Sequence, residues 1–360
     1  MPLSERELIE SIARKSAGGS SKLIATGIGD DCAVLRLPEG SEMLVTTDFS
    51  LEWVHFRRAW HPADSVGHRC LARGLSDIAA MGGEPVAAFL SLALPGDLPQ
   101  RWVDQFVAGM LRLAQRFGVT LAGGDTAQSY IPTNGKSPLA GDPAAGGIVA
   151  DIAVVGSVPA GQAILRSGAR PGDSIFVSGE LGAAVAVLEQ MVENPERKFR
   201  AAAFPAHFYP EPQLAVARHL RQKKLATAMI DISDGLSTDL RHICESSGVG
   251  ATLVEQAIPT ARMGRHEVEL RHALHGGDEY QLVFTVAPGR RVPPEIAGVP
   301  LTRIGYIKEE DGVFIDHENG YRTELEARGW EHFSGSTSAG GRFAKGKPAW
   351  QRRAARRGDG

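Results

Sequence analysis

The amino-acid sequence predicts a mixed α and β (α+β) protein with two domains. Its 360 residues exceed the usual size of a single domain. Strand-like runs alternate with helical patterns, which requires α and β layers to pack on each other. Some strand-like runs follow one another directly, and this favours mixed layers over a doubly wound parallel sheet. We therefore predict α/β domains at 1–157 and 158–333, followed by a basic, disordered tail at 334–360.

The predicted elements of the first domain start with a short amphipathic helix within residues 1–16. Short apolar runs predict strands at 43–45, 119–122 and 148–155. Apolar residues at helical spacing predict helices at 62–81 and 101–117. Gly118 follows the second helix as a C-cap. The Pro-, Gly-, Ser- and Asn-rich segment 128–147 predicts an exposed loop.

The second domain shows the same two kinds of pattern. Apolar runs predict strands at 174–178 and 228–232, and helices are expected from about 181 and from about 233 to 246. No short-period repeat is visible, which excludes a solenoid.

The composition excludes several classes of protein. Hydrophobic residues make up 43% and charged residues 22%, as in ordinary globular proteins. No apolar run is long enough to span a membrane, and the N-terminus lacks the apolar segment of a signal peptide. Three dispersed cysteines support neither a disulfide framework nor a zinc site, so we expect a cytoplasmic protein. Cys32, Cys70 and Cys244 are then expected to be small buried hydrophobes.

The charge distribution argues against a nucleic-acid-binding body. Residues 334–360 carry seven basic residues and one acidic residue, a net charge of about +6. Because the whole chain has a net charge of −3, the rest of the chain has a net charge of about −9. Basic residues with Phe343 and Trp350 in the tail could touch phosphates weakly, but a solvated tail is the favoured interpretation.

The main chemical pattern is a set of aspartates near glycines, where a predicted strand stops or a helix starts. Glycines let a backbone approach a ligand closely, and carboxylate oxygens are preferred magnesium ligands. A polyphosphate beside several carboxylates needs metal between them, because like charges repel. The set comprises Asp30 and Asp31 in GIGDD, Asp48 in TTD, Asp77 in GLSDIAAMGG, Asp125 in AGGDT, and Asp231 and Asp234 in IDISDGL.

Each aspartate alone also has a structural interpretation, in a turn or as an N-cap. That interpretation is the favoured one for Asp30. It is weaker for Asp77, which lies in an apolar helical pattern where a buried carboxylate is costly. P-loop, GxGxxG, HExxH and GxSxG motifs are absent, so no covalent intermediate is expected. Phosphoryl transfer would then rest on positioning and charge neutralisation.

Eight motifs follow one another along the chain: GIGDDCAVL, TTDFSLEWVHF, LARGLSDIAAMGGEP, LAGGDT, LRSGARPGD, MIDISDGLSTDL, GGDEYQLVF and GWEHF. In this order they resemble the motifs of the thiamine-monophosphate kinase family. The similarity runs from about residue 8 to 333 in family order. The family belongs to a superfamily with aminoimidazole ribonucleotide synthetase and selenophosphate synthetase. The resemblance implies two α/β domains, a homodimer barrel formed by N-terminal strands, and ATP bound near that interface.

The resemblance also implies an activity and its site residues. ATP phosphorylates thiamine monophosphate to thiamine diphosphate by direct in-line transfer with several Mg²⁺ ions, as the final step of thiamine diphosphate biosynthesis. The magnesium positions are Asp31, Thr46, Thr47, Asp48, Asp77, Asp125, Asp231 and Asp234. The ATP positions are Gly124, Asp125, Arg166 and Ser233, where an arginine fork suits phosphate. The substrate positions are His55, Asp278 and Trp330, whose indole suits a thiazolium cation.

One departure concerns the acceptor pocket. The family usually has GGEDY where this chain has GGDEY, so a shorter Asp278 replaces the glutamate that contacts substrate. Either Asp278 or Glu279 could take that role.

Two other kinds of function remain open. One is another ATP-dependent synthetase of the superfamily, although no cysteine precedes Cys32, which argues against selenophosphate synthetases. The other is a non-catalytic nucleotide-binding relative, which should have lost metal aspartates that this chain retains.

Overall fold

The structure, a computed structural model, describes residues 3–16, 21–29, 32–130, 147–264 and 266–330. Its helices are α1 (Glu5–Ser16), α2 (Ala63–Ala80), α3 (Gln100–Phe117), α4 (Ala183–Glu193), α5 (Pro205–Phe208), α6 (Leu214–Gln222), α7 (Leu236–Ser247) and α8 (Leu270–His275). Most of the predicted loop 128–147 and the whole tail 334–360 lie outside the described residues.

Most of the described strands belong to two main sheets, while β1 pairs with β2 and β10 with β11. The strands are β1 (Ile24–Thr26), β2 (Val34–Leu35), β3 (Ser41–Leu51), β4 (Glu84–Pro95), β5 (Thr120–Tyr130), β6 (Val149–Pro159), β7 (Ser174–Ser178), β8 (Ala226–Asp231), β9 (Gly250–Val254), β10 (Arg262–Met263), β11 (His266–Glu267), β12 (Leu282–Val286), β13 (Glu295–Ile296), β14 (Val299–Lys308), β15 (Val313–Asp316) and β16 (Arg322–Glu324).

The first sheet has four strands in the order β3-β6-β4-β5. β3 pairs with β6 and β6 with β4 in antiparallel fashion, whereas β4 and β5 are parallel. The parallel pair needs a crossover, which α3 supplies. Gly118 ends α3 in the left-handed conformation, with φ 67°, as the sequence predicted.

The second sheet has the order β16-β15-β9-β14-β7-β12-β8, with β13 beside β14. Its pairs are antiparallel except β15 with β9. The mixed α and β architecture of two layered halves is therefore confirmed. The boundaries 1–157, 158–333 and 334–360 stay a prediction, and β6 itself runs to Pro159.

Helix α2 lies between the two halves and is buried along almost its whole length. A helix that is buried all round belongs to the interior rather than to a surface. Leu71 and Leu75 of α2 belong to one hydrophobic core that also contains Met229 and Phe284 of the second sheet. Polar side chains on α2 are therefore placed at the junction of the halves.

Strand β3 is longer than the sequence predicts. Thr46 to Asp48 were expected to follow the strand, but β3 continues to Leu51. Pairing with β6 from Ser41 to Leu51 keeps these polar residues extended. Asp125 likewise lies within β5 rather than after a strand.

Two further expectations differ from the structure. Helix α7 begins at Leu236 rather than near 233, because Gly235 has φ 127°, outside the helical region. Cys70 and Cys244 are buried as expected, but Cys32 is exposed. No helix in the described part of the chain is long and apolar enough to cross a membrane. The described first sheet is open, so the dimer barrel stays a prediction.

Candidate active site

One face of helix α2 carries the polar residues that organise the junction. Arg69, Arg73, Ser76 and Asp77 are spaced at i, i+4, i+7 and i+8, so their side chains leave the helix on the same side. The two arginines reach the loop before β12. Ser76 and Asp77 reach β8 and β3. A single helix face thus connects both sheets.

Three carboxylates meet at the C-terminal part of this face. The charge of Asp77 acts on Asp48, and the Thr46 hydroxyl donates a hydrogen bond to Asp77. Ser76 Oγ donates to Asp231 Oδ2 at 2.7 Å. We call Asp48, Asp77 and Asp231 the acidic group.

The acidic group is electrostatically costly without a cation. Burial raises the pKa of Asp48 to about 7, and the charge of Asp77 adds to this effect. Burial raises the pKa of Asp77 despite nearby Thr46 and Arg166. Burial and the charge of Asp77 raise the pKa of Asp231 well above its usual value. Oxygen ligands held this close without matching positive charge fit a hard divalent cation, and Mg²⁺ is the common choice beside phosphates.

The loop between β8 and α7, together with α7, adds a second set of possible metal ligands. Asp239 Oδ2 accepts hydrogen bonds from the backbone N–H groups of Asp234, at 3.1 Å, and Gly235, at 3.0 Å. Burial raises the pKa of Asp239 to about 7, with a contribution from Asp234. Asp234, Asp239 and His242 offer ligand atoms within 4.8 Å of one another. The IDISDGL turn is therefore built so that one aspartate fixes the backbone of another.

Asp278 has the opposite electrostatic setting. Arg69 Nη2 donates to its Oδ2 at 2.7 Å, and Arg73 Nη2 donates to its Oδ1 at 2.9 Å. The Tyr280 hydroxyl donates to Oδ1 at 2.5 Å. Burial alone would raise the pKa of Asp278, but the two guanidinium groups outweigh it and hold that pKa well below its usual range. Asp278 is therefore a fixed anion with its own counter-ions.

Glu279 plays a different part. Its Oε1 accepts hydrogen bonds from the backbone N–H groups of Gly182 and Ala184, at 3.0 and 3.2 Å, at the start of α4. Burial raises its pKa to about 8. The Glu279 side chain is buried, whereas that of Asp278 is 30% exposed. Of the two residues left open by the sequence, Asp278 is the one that faces the junction.

The other predicted substrate residues are His55, which lies near Asp278, and Trp330, which lies beside the loop between β8 and α7. The charge of His55 is close enough to lower the pKa of Asp278, and His55 Nδ1 accepts the N–H of Leu51 at 3.0 Å. Trp330 is 54% exposed, and its backbone N–H donates to the Asp234 carbonyl at 3.0 Å. This hydrogen bond holds the backbone of Trp330, in the GWEHF motif, against the IDISDGL turn.

The predicted ATP residues are more dispersed. Arg166 is exposed, and its charge acts on Asp77. The Ser233 carbonyl accepts the N–H of Asp278 at 2.8 Å, so the two loops are joined. Gly124 has φ 153°, and a Cβ there would lie 1.9 Å from the Leu90 carbonyl oxygen, so only glycine fits. Exposed Asp125 lies on β5, separated from β3 by β6 and β4.

The remaining two predicted magnesium positions are Thr47 and Asp31. Thr47 is exposed on β3, while its neighbours Thr46 and Asp48 are less exposed, as expected from strand alternation. Asp31 lies outside the described residues.

Sequence reasoning missed several residues that the structure brings to the site. They are Arg69, Arg73, Ser76, Asp151 and Asp239. The spacing of the first three on α2 was readable, but their partners lie up to 209 positions away. Asp151 lies on β6 opposite Phe49 and Ser91, and its charge acts on Asp48. An acidic residue inside an apolar strand was the available indication.

Comparison with known proteins first defines the class of fold. Residues 29–141 match the AIR synthase related protein, N-terminal domain, and residues 170–318 match the AIR synthase related protein, C-terminal domain. A thiamine-monophosphate kinase of Salmonella typhimurium (strain LT2) is 35% identical over 88% of this chain and 94% of the relative. The chain belongs to the thiamine-monophosphate kinase family.

Solved structures agree with this membership. The crystal structure of thiamine-monophosphate kinase from Stenotrophomonas maltophilia K279a has a TM-score of 0.73 and 32% identity, covering 91% of this chain and 99% of that one. AaThiL complexed with AMPPCP and TMP has a TM-score of 0.69 and 31% identity, covering 92% and 99%. The family predicted from the ordered motifs is thereby confirmed.

Proposed function

We propose that this chain uses ATP to phosphorylate thiamine monophosphate, giving ADP and thiamine diphosphate. The observation that carries the proposal is the acidic group at the junction, beside the arginine-held Asp278. Family membership supports the same reaction, since relatives are named for it and one was solved with AMPPCP and TMP.

The proposed site residues fall into three sets, which hold the metal, ATP and thiamine monophosphate. Asp48, Asp77 and Asp231 would hold Mg²⁺, with Asp31, Thr46, Thr47, Asp125 and Asp234 as the remaining proposed metal positions. Bound Mg²⁺ would neutralise phosphate charge in this buried space. Gly124, Asp125, Arg166 and Ser233 would contact ATP. His55, Asp278 and Trp330 would contact thiamine monophosphate, with the Trp330 indole against the thiazolium.

The chemistry is a direct displacement. An oxygen of the acceptor phosphate attacks the γ-phosphorus of ATP in line, the bond to the β,γ-bridging oxygen breaks, and ADP leaves. The chain contributes positioning and charge neutralisation, and no side chain forms a covalent bond to phosphorus. Arg166 near Asp77 would stabilise charge on the triphosphate.

The test is a turnover assay with purified protein. Thiamine diphosphate should form from thiamine monophosphate only when ATP and Mg²⁺ are both present. Replacing Asp234 by Asn should lower turnover on the order of a hundredfold while the protein stays folded. Turnover of aminoimidazole precursors instead would support a superfamily synthetase. Nucleotide binding without turnover of either acceptor would support a non-catalytic relative.

The same proposal includes a homodimer, formed through β3. Met43, Val45 and Phe49 alternate along this edge strand, and each side chain is more than half exposed. An exposed apolar edge strand is an association surface. Val45→Lys should shift the protein to monomer in analytical ultracentrifugation, while Tyr321→Lys, at an exposed aromatic residue of the second half, should not. The cytoplasmic location stays a prediction.

A further inference from the structure

Arg73, on α2, contacts two other elements with one guanidinium group. Its Nη2 donates to Asp278 Oδ1 at 2.9 Å, and its Nη1 donates to the Phe49 carbonyl at 3.1 Å. Arg73 belongs to α2, Phe49 to β3, and Asp278 to the loop before β12. The guanidinium therefore joins the strand that carries Asp48 to the loop that faces the acceptor side of the junction.

Asp278 needs such restraint. Its φ is +62°, in the left-handed region that non-glycine residues seldom adopt without support. Arg69 holds Oδ2, while Arg73 and Tyr280 hold Oδ1. With both oxygens bound, the carboxylate plane cannot rotate freely.

We propose that Arg73 is a positioning residue of the phosphoryl-transfer site. It orients Asp278 toward the acceptor and fixes that carboxylate relative to β3, one residue from Asp48. Arg73 thereby keeps the bound acceptor and the acidic group in a fixed position relative to each other, although they contact different halves. This inference rests on the proposed function, in which Asp278 contacts thiamine monophosphate.

The arginine side chain is suited to this role and lysine is not. A guanidinium is planar and presents donors in two fixed directions, so it can reach a carbonyl and a carboxylate together. A lysine ammonium keeps the charge but lacks the rigid fork. Charge and geometry can therefore be separated by comparing Arg73→Lys with Arg73→Met.

The experiment measures KM for each substrate and kcat separately. Arg73→Met should raise the KM for thiamine monophosphate about tenfold or more, since a charge-assisted hydrogen bond that orients its partner is lost. The KM for ATP should change less than about twofold. Arg73→Lys should show an intermediate KM for thiamine monophosphate. The control is Arg218→Gln, which removes another ion pair between the halves, to Glu84, and should leave both constants unchanged.

A double-mutant cycle distinguishes positioning from general support. If Arg73 acts through Asp278, then Arg73→Met combined with Asp278→Asn should be no worse than Asp278→Asn alone. Additive losses would overturn the proposal, and so would equal rises in both KM values. Should Arg73→Met not fold, a folded Arg73→Lys variant with wild-type KM would overturn it equally. Absence of thiamine diphosphate formation by the wild type would instead refute the proposed function, and this inference with it.

Discussion

Helix α2 borders two sets of carboxylates that the protein treats in opposite ways. At its C-terminal part, Asp48, Asp77 and Asp231 face one another. Burial raises all three pKa values, and the charge of Asp77 adds to the rise at Asp48 and Asp231. One to two turns earlier, Asp278 is held by Arg69 and Arg73, and its pKa is lowered. The same residue type is thus placed with and without its own counter-charge.

The difference indicates which carboxylates await a ligand. A carboxylate with built-in arginine partners gains nothing from a metal ion, because its charge is already balanced. Carboxylates that repel one another in a buried space gain most from an added cation. The acidic group is therefore suited to bind, and Asp278 is suited to orient.

The largest effect is expected at Asp231. Asp231→Asn should lower turnover roughly a hundredfold or more, because the acidic group loses a metal position. The metal-free protein should also unfold at a higher temperature, since a buried repulsive charge is removed. Steady-state kinetics and thermal unfolding check both parts, with exposed Asp97→Asn as control. Wild-type turnover in a folded Asp231→Asn protein would contradict the metal role of Asp231.

Asp278→Asn should lower the stability of the protein as well as raise the KM for thiamine monophosphate. It leaves Arg69, whose side chain is 4% exposed, and Arg73 without their anionic partner. Breaking a buried ion pair in this way costs about 3 kcal/mol of unfolding free energy. Urea denaturation measures the loss. Asp316→Asn, in a surface pair with Arg322, should change far less. Equal losses in the two variants would remove the contrast between the sites.

Magnesium should distinguish the two sets directly. At a concentration about a hundredfold above its dissociation constant, Mg²⁺ should stabilise the wild type by about 2.7 kcal/mol. Asp278→Asn should retain this stabilisation, and Asp231→Asn should lose most of it. Thermal unfolding with and without MgCl₂ provides the measurement. A loss of the magnesium effect in Asp278→Asn would place that residue among the ligands.

A histidine pair beside the Asp278 loop predicts a smaller, pH-dependent effect. His61 Nε2 and His207 Nε2 are 3.1 Å apart, and His207 Nδ1 donates to the Ala184 carbonyl at 2.8 Å. Burial and the charge of Arg69 lower the pKa of His207 to about 3, and burial lowers that of His61 well below 6.5. Both imidazoles are therefore neutral near pH 7.

The direction in which stability changes with pH follows from proton uptake by the unfolded chain. The unfolded chain protonates these histidines as the pH falls through about 6.5, but the folded chain does not, so stability is lost below that pH. At pH 5 the loss is about 2 kcal/mol for His207, whose pKa is about 3 in the folded chain. Carboxylates with a raised pKa, such as Asp48, have the opposite effect, because they stabilise the folded chain as the pH falls over the same range. The histidine contribution is therefore measured as the difference between wild type and His207→Gln, with exposed His266→Gln as control. Parallel pH profiles would exclude a neutral buried pair.

Much of the local structure was predictable. Helices α2 and α3 follow from apolar spacing, and Gly118 marks the end of α3. The aspartates of the acidic group were recognisable because carboxylates beside glycines and apolar runs are unusual. Their gathering around α2 also required the fold, since Asp48 and Asp231 belong to different sheets.

The arginines on α2 were not predictable as site residues. An arginine in a helix is most often solvated, and only the fold brings Asp278 to Arg69 and Arg73 from more than 200 positions away. The extent of β3 was missed for a related reason. Backbone pairing with β6, rather than side-chain pattern, keeps Thr46 to Leu51 extended. Pairings between distant segments leave little local trace in a sequence.

The position of α2 also bears on how the chain folds. Leu71 and Leu75 pack in a core shared with Met229 and Phe284, so this shared core cannot be completed while either half is unfolded. We expect a single cooperative transition rather than two separate ones, with the halves losing structure together. Folding of the first half during synthesis would remain incomplete until the second sheet emerges.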